Sequence, residues 1–163
     1  MEEARLADKP SLTLTREYAA SPERIWRAWT DAKALKQWWC PPGESVSAAE
    51  LDVRVGGGFR ICFGGADGNA HECAGTYKEV VKSVKLVFTW SWPRTTPERE
   101  SLVTILFNAK GGGPSGIRTE LVFRHERFFD EKVRDDHKRG WSKLLEGLER
   151  YLAGPVLAGE SRV

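Results

Sequence analysis

One stretch near the C-terminal end limits what this chain can become. Across residues 130–152 the apolar side chains are Val133, Trp141, Leu144, Leu145, Leu148, Tyr151 and Leu152. Most of their spacings are three, four or seven, so on a 3.6-residue helix they form one stripe. The opposite face carries Lys132, Arg134, Asp135, Lys138, Arg139, Lys143, Glu146, Glu149 and Arg150. Asp130 suits an N-cap with Glu131 in the first turn, and Gly154-Pro155 is a stop signal. At 1.5 Å per residue the helix is a rod of roughly 33 Å. A rod that long with one apolar stripe needs a broad surface to cover it.

Most of the preceding chain reads as strand. Residues 11–18 alternate, with Leu12 and Leu14 on one parity. Ser21-Pro22-Glu23 then reads as a helix start, with Ser as N-cap and Pro at the first helical position. That helix carries Ile25, Trp26 and Trp29, and a second short helix is predicted over 31–38 with Leu35 and Trp38, closed by Cys40-Pro41-Pro42-Gly43. Strands are predicted over 46–55, around Phe59, Ile61 and Phe63, and over 72–81, 84–92, 100–109 and 116–126. Gly56-Gly57-Gly58 reads as a corner or bulge, residues 64–69 and 110–115 as Gly-rich hairpin loops, and 93–97 as a loop. The clearest period-two signal puts Val84, Leu86, Phe88, Trp90 and Trp92 on one face. Apolar residues fall on both parities of 72–81, which leaves its facing open. The prediction is an α+β domain: a curved antiparallel sheet wrapped around the last helix, bare on its outer side. Two short helices after the first strand are placed to plug one end.

A chain of 163 residues fits one domain, here 11–153, with polar tails at 1–10 and 154–163. At this size about 70% of the unfolded surface can be buried, so neither disulfide nor metal is needed. Twenty-five Lys and Arg nearly balance 23 Asp and Glu, without the basic stripe of a nucleic-acid binder. The sequence has no secretory signal and no apolar run near 18 residues, so the expectation is a cytoplasmic protein with no membrane insertion. Three unpaired cysteines suit a reducing compartment. Seven Trp and seven Phe against one Met predict an interior of large, rigid rings.

Several segments together resemble a known family. Trp29-Thr30-Asp31 with Leu35 and Trp38-Trp39 is similar to the "WTD…WW" segment of the heat shock protein ATPase activator homologue (AHSA-type) family. Residues 50–57 with Phe59, Gly75-Thr76-Tyr77 with Glu79-Val80, and residues 86–90 resemble it too. So do Thr119, Leu121, His125, Phe128, and Gly140-Trp141 with Leu144 and Leu148. The likeness runs in order from about residue 12 to 152. It implies the START-like (SRPBCC) helix-grip fold, with about seven strands gripping a C-terminal helix. Relatives in that superfamily bind lipids and hormones, cyclise polyketides, sequester antibiotics or act as co-chaperone domains. Fold alone does not choose among these.

The candidate chemistry is sparse. His137 lies four residues after Val133 and four before Trp141, so it should face the sheet, as a cavity anchor or as a hydrogen-bonded core-edge residue. His125 reads as structural, and His71-Glu72 as a solvated loop pair. Cys62, Cys73 and His71 lack zinc-ligand spacing, Cys40 has no neighbouring base, and neither Gly-Gly-Gly run opens a helix with Lys-Ser or Lys-Thr. No cofactor and no metal are expected. The aromatic residues are the better lead. Trp39, Phe63, Tyr77, Phe88, Trp90, Trp92, His137 and Trp141 are the candidate lining of a site for a small hydrophobic, aromatic or polycyclic ligand. Trp26 and Trp29 are assigned to core filling. The alternatives are a cyclase/aromatase-like enzyme using His137, Tyr77 and Glu72, or a co-chaperone-type interaction domain. The lack of a convincing catalytic set weighs against an enzyme. A chaperone partner is consistent with the resemblance without support from a particular residue, and a homodimer is compatible with the sequence.

Overall fold

The structure is a computed structural model that describes residues 9–40, 44–65, 70–111 and 117–154. Residues 1–8 and 155–163 of the expected tails (1–10 and 154–163), Pro41-Pro42-Gly43, and parts of the two Gly-rich loops lie outside the described residues, and with them the stop residue Pro155. Seven strands form one antiparallel sheet: β1 (Leu12–Tyr18), β2 (Glu44–Leu51), β3 (Gly58–Gly65), β4 (Ala70–Val81), β5 (Lys85–Trp92), β6 (Thr96–Lys110) and β7 (Arg118–Glu126). Their order across the sheet is β1-β7-β6-β5-β4-β3-β2. Two short helices, α1 (Pro22–Thr30) and α2 (Ala32–Leu35), follow β1, and α3 (Glu131–Ala153) closes the chain. This is the expected helix-grip architecture.

Side-chain alternation builds the inner wall. Leu14 pairs with Phe123, Phe123 with Ile105, Ile105 with Leu86, and Leu86 with Val80, so one apolar row crosses five strands. All but Val80 are buried. Trp141, Leu145, Leu148 and Leu152 on α3 join the same core. Burying a side chain of this size is worth roughly 1.5–3 kcal/mol, so the stripe and the wall hold each other.

The caps are as expected. Ser21 Oγ accepts from the Arg24 N–H at 3.2 Å, and an Asp130 carboxylate oxygen accepts from the Val133 N–H at 2.9 Å. Long-range bonds then fix the helices. Tyr18 Oη donates to the Leu145 carbonyl at 3.1 Å, tying β1 to α3. Trp38 Nε1 donates to the Ala28 carbonyl at 3.0 Å, folding α2 back on α1.

Several boundaries differ from the sequence reading. The second helix ends at Leu35, and Gln37, Trp38 and Trp39 continue as turns closed onto Ala34 and Leu35. β2 stops at Leu51, leaving Val53 and Val55 outside it, because the chain turns there through Gly56 at φ +87°. β6 starts at Thr96, which pairs with Trp92, so the predicted loop over 93–97 is a tight turn. Val84 lies in the turn before β5 and is 54% exposed, off the face it was assigned to. The outer face is not bare throughout: Val87 and Thr89 are buried.

The ambiguity over 72–81 has a physical cause. β4 carries a bulge between Tyr77 and Glu79. Before it Cys73 and Tyr77 face inward, and after it the parity flips so that Val80 pairs with Leu86. Thr89 Oγ1, on the other side of β5, accepts from the Thr76 N–H at 2.8 Å beside the irregularity.

Candidate functional site

Two tryptophan–histidine pairs link α3 to the sheet. Trp92, the last residue of β5, donates its indole N–H to His137 Nε2 at 3.0 Å. His137 Nδ1 lies 2.8 Å from the Val133 carbonyl, which can only accept, so the ring proton sits on Nδ1. The second pair uses the opposite tautomer. Trp141 Nε1 donates to His125 Nδ1 at 3.0 Å, so His125 carries its proton on Nε2 and donates to Ser101 Oγ at 2.6 Å. Ser101 then donates to the Trp90 carbonyl at 3.3 Å. An indole nitrogen only donates, and each neutral imidazole supplies the acceptor it needs.

Electrostatics hold both rings neutral. Burial pushes the His125 pKa well below its usual value, and the nearby His137 adds to this. Burial also lowers His137, opposed by its bond to the Val133 carbonyl and by Asp136. Both nitrogens of each ring are committed to protein partners, which leaves no free site for proton transfer.

The tryptophans form one packed cluster. Trp29 and Trp38 have centroids 4.8 Å apart, Trp90 and Trp141 4.9 Å, Trp39 and Trp141 5.8 Å, and Phe123 and Trp141 4.4 Å. Packing at these separations and tilts contributes beyond simple burial. It also fills the space between sheet and helix. Among the described residues a small space of about 20 Å³ remains, bordered by Trp29, Trp39, Phe59, Tyr77, Phe88 and Trp90. That is room for about one water molecule.

A larger space opens beside it. A cleft of about 420 Å³ runs between α3, the end of the α2 turn, and β3–β5. Trp39, Phe63, Trp90, Trp92, His137 and Trp141 line it, with Gly140 and Leu144 on the helix side. Six of the eight sequence-selected residues therefore converge on one cleft, whereas Tyr77 and Phe88 border only the interior void. Trp29, assigned to core filling, does sit in the cluster, where its ring stacks with Phe123. The rim carries Glu44 and Asp136 against Lys143 and Arg150.

The indole N–H groups of Trp29, Trp39 and Trp90 are buried without a hydrogen-bond partner among the described residues. All three rings border the void, and Trp39 and Trp90 border the cleft as well. An unmet buried donor costs about 1–3 kcal/mol. Sequence spacing could not have flagged these donors, since nothing in it distinguishes them from the paired indoles of Trp38, Trp92 and Trp141.

The other candidates disperse. Glu72 pairs across β3 with Arg60 at 2.9 Å, and Tyr77 sits inside with its phenol raised in pKa by burial, so neither shares a pocket with His137. Cys62 pairs with Glu72, Cys73 with Ile61, so the two thiols stand on opposite faces of the sheet. Burial and Glu44 push the Cys40 thiol up to about 11, which leaves it protonated at neutral pH. Among the described residues no group of His, Cys, Asp and Glu is placed to hold a metal ion, and no helix is long and apolar enough to cross a membrane.

Comparison with known proteins agrees with this geometry. A solved protein from Chromobacterium violaceum is 26% identical, with a TM-score of 0.75 over 89% of this chain and 98% of that one. An AHSA1 protein from Silicibacter pomeroyi is 29% identical, with a TM-score of 0.74 over 88% of this chain and 98% of the other. An HSP90 activator from Plasmodium falciparum is 27% identical, with a TM-score of 0.68 over 89% and 97%. No curated protein matches. The family model described as "Activator of Hsp90 ATPase homolog 1-like protein" matches residues 19–153, and the chain belongs to that family.

Proposed function

We propose that the protein binds a small, flat, hydrophobic molecule in the cleft beside α3. The observation that carries this reading is the convergence of Trp39, Phe63, Trp90, Trp92 and Trp141 on a single opening of about 420 Å³. That volume lies within the usual range for small-molecule sites, and its apolar lining with a few polar groups is the usual composition. An acid–base enzyme is poorly supported, because His137, Tyr77 and Glu72 do not share a pocket and His137 has both nitrogens engaged.

The test is native mass spectrometry of protein purified from its own organism, followed by extraction. A retained organic mass of aromatic character supports the reading. An empty protein that also fails to bind any of a panel of polycyclic aromatics contradicts it.

A second reading rests on the similarity to the Plasmodium falciparum HSP90 activator. Here the domain would engage an Hsp90-class chaperone through its surface. Stimulation of that chaperone's ATPase by the purified protein supports it, and an unchanged ATPase rate contradicts it.

A further inference from the structure

Trp92 and His137 also border a second opening, of about 390 Å³, beside the first half of α3. Its walls are of two kinds. Trp92, Phe128, Phe129 and Val133 are apolar, and Lys9, Arg99 and Arg127 are cationic. The three cations come from distant parts of the chain: the segment before β1, the start of β6, and the link from β7 to α3. The Phe128 N–H donates to the Pro10 carbonyl at 3.1 Å, which holds the Lys9 segment against the Arg127 segment. Phe128 is itself buried, its ring centroid 4.1 Å from that of His125 and 5.0 Å from that of His137. This side of the opening is therefore anchored to the core.

Arg127 has φ +69°, in the left-handed region that a non-glycine residue adopts at a cost. Ser83 is the other described non-glycine residue with positive φ, and it lies in the tight turn between β4 and β5. No hairpin imposes the conformation at Arg127. Glycine would take it without strain, so what the arginine offers in return is its side chain. That residue is half-buried, lines the opening, and has no side-chain hydrogen bond or ion pair among the described residues. The Arg99 guanidinium carbon lies 3.8 Å from the centroid of the Phe129 ring, and Lys9 Nζ lies 5.8 Å from the same centroid. Neither cation has an ion-pair partner among the described residues. Elsewhere arginines meet carboxylates: Arg60 with Glu72, Arg118 with Glu17, Arg124 with Glu126. The acids at this opening are Glu100 and Asp136, and Asp136 already pairs with Lys132 and Arg139. Glu100 alone stands against three cations.

We propose that this opening is a binding site for a small organic anion, its oxyanion head held by Arg99 and Arg127 and its apolar body against Trp92, Phe128 and Val133. Lys9 adds attraction without a fixed geometry. A guanidinium over an aromatic ring can still present its N–H fork, and that fork matches a planar carboxylate in two parallel bonds, so a carboxylate is the favoured head. The chemistry differs from that of the aromatic cleft, whose rim charges offset each other, and the site stands whether or not that cleft is filled.

The experiment is equilibrium dialysis of the full chain with three probes. Naphthoate has both the body and the charge, naphthalenemethanol has nearly the same shape without the charge, and inorganic phosphate has charge without the body. Wild type, Arg99→Gln and Arg127→Gly are compared, with thermal unfolding of each. Wild type is expected to bind naphthoate about tenfold more tightly than either other probe, the worth of one charge-assisted hydrogen bond. Each variant is expected to lose about fivefold to tenfold in naphthoate affinity and to keep the wild-type affinity for naphthalenemethanol. Arg127→Gly is also expected to melt at or above the wild-type temperature, because it relieves the left-handed strain. Lost binding with retained stability is a result that a merely structural arginine does not give. Equal affinity for naphthoate and naphthalenemethanol, or unchanged naphthoate affinity in both variants, overturns the site. Phosphate bound as tightly as naphthoate overturns the apolar half of the proposal. No naphthoate binding to wild type overturns it outright and leaves the aromatic cleft untouched. Arg99→Gln, at an exposed position, keeps the result interpretable if the glycine variant folds poorly.

Discussion

The indole N–H of Trp92 and Nε2 of His137 meet at 3.0 Å across 45 residues of chain, joining the end of β5 to the first half of α3. The pair borders two openings: the aromatic cleft of about 420 Å³ and a second of about 390 Å³ that also involves Arg99, Arg127 and Phe129. The bond needs a neutral imidazole, because a protonated ring has no acceptor. Replacing His137 with Phe should leave the Trp92 N–H unpaired and destabilise the fold by about 1–2 kcal/mol. The Trp92 indole proton should shift in an ¹⁵N–¹H spectrum, and an unmoved signal would contradict the bond.

His125 is the more committed of the two histidines. It is fully buried and serves Trp141 on one nitrogen and Ser101 on the other. His125→Ala removes packing and strands two buried polar groups, so a loss of about 3–5 kcal/mol is expected in urea unfolding. A loss below about 1 kcal/mol would mean that the network rearranges freely.

The same two rings predict a dependence on pH. Both have folded pKa values below the ordinary 6.5, so the folded state binds fewer protons than the unfolded chain. Their contribution is complete above pH 6.5 and is lost as the pH falls below it towards the folded values. The slope from each is at most about 1.4 kcal/mol per pH unit. Unfolding free energies measured at pH 7.5 and 5.5 should therefore fall on acidification, and by less in His137→Phe. A wild-type stability that holds constant or rises over that interval would contradict neutral histidines.

The two helix glycines give a paired prediction. Gly140→Ala should stabilise by about 0.5–1 kcal/mol, because it adds helix propensity in open space. Gly147→Ala should destabilise by about 1–3 kcal/mol, because its Cβ would press on the Trp38 carbonyl. Thermal unfolding of both variants checks this. Effects of the same sign would mean that α2 does not pack on α3 as described.

Much of this fold could be read from residue periodicity. The stripe from Trp141 to Leu152 and the alternation of Leu86, Phe88 and Trp90 are core-facing as expected, because burial rewards one face of each element. Val80 and Val84 were not legible: a bulge after Tyr77 reverses the facing of one, and a turn carries the other to the surface. Neither leaves a distinctive local sequence signal. The site was half legible. Alternation brought Trp90 to the interior and helical spacing brought His137 and Trp141 to the sheet side, but the split of Tyr77 and Phe88 into a separate small void depends on how whole rings pack. The tautomers of His125 and His137 also depend on partners far away in the chain.

The most direct measurement of the central claim is an ¹⁵N–¹H spectrum of the seven indole N–H groups during titration with a flat polycyclic aromatic. A ligand in the cleft beside α3 should move the signals of Trp39, Trp90, Trp92 and Trp141, which border it, and leave that of Trp26, which packs against Phe107, unchanged. Saturable shifts confined to the cleft tryptophans are the predicted result. No shift in any of the four at saturating ligand, or equal shifts in all seven, would contradict a binding site there.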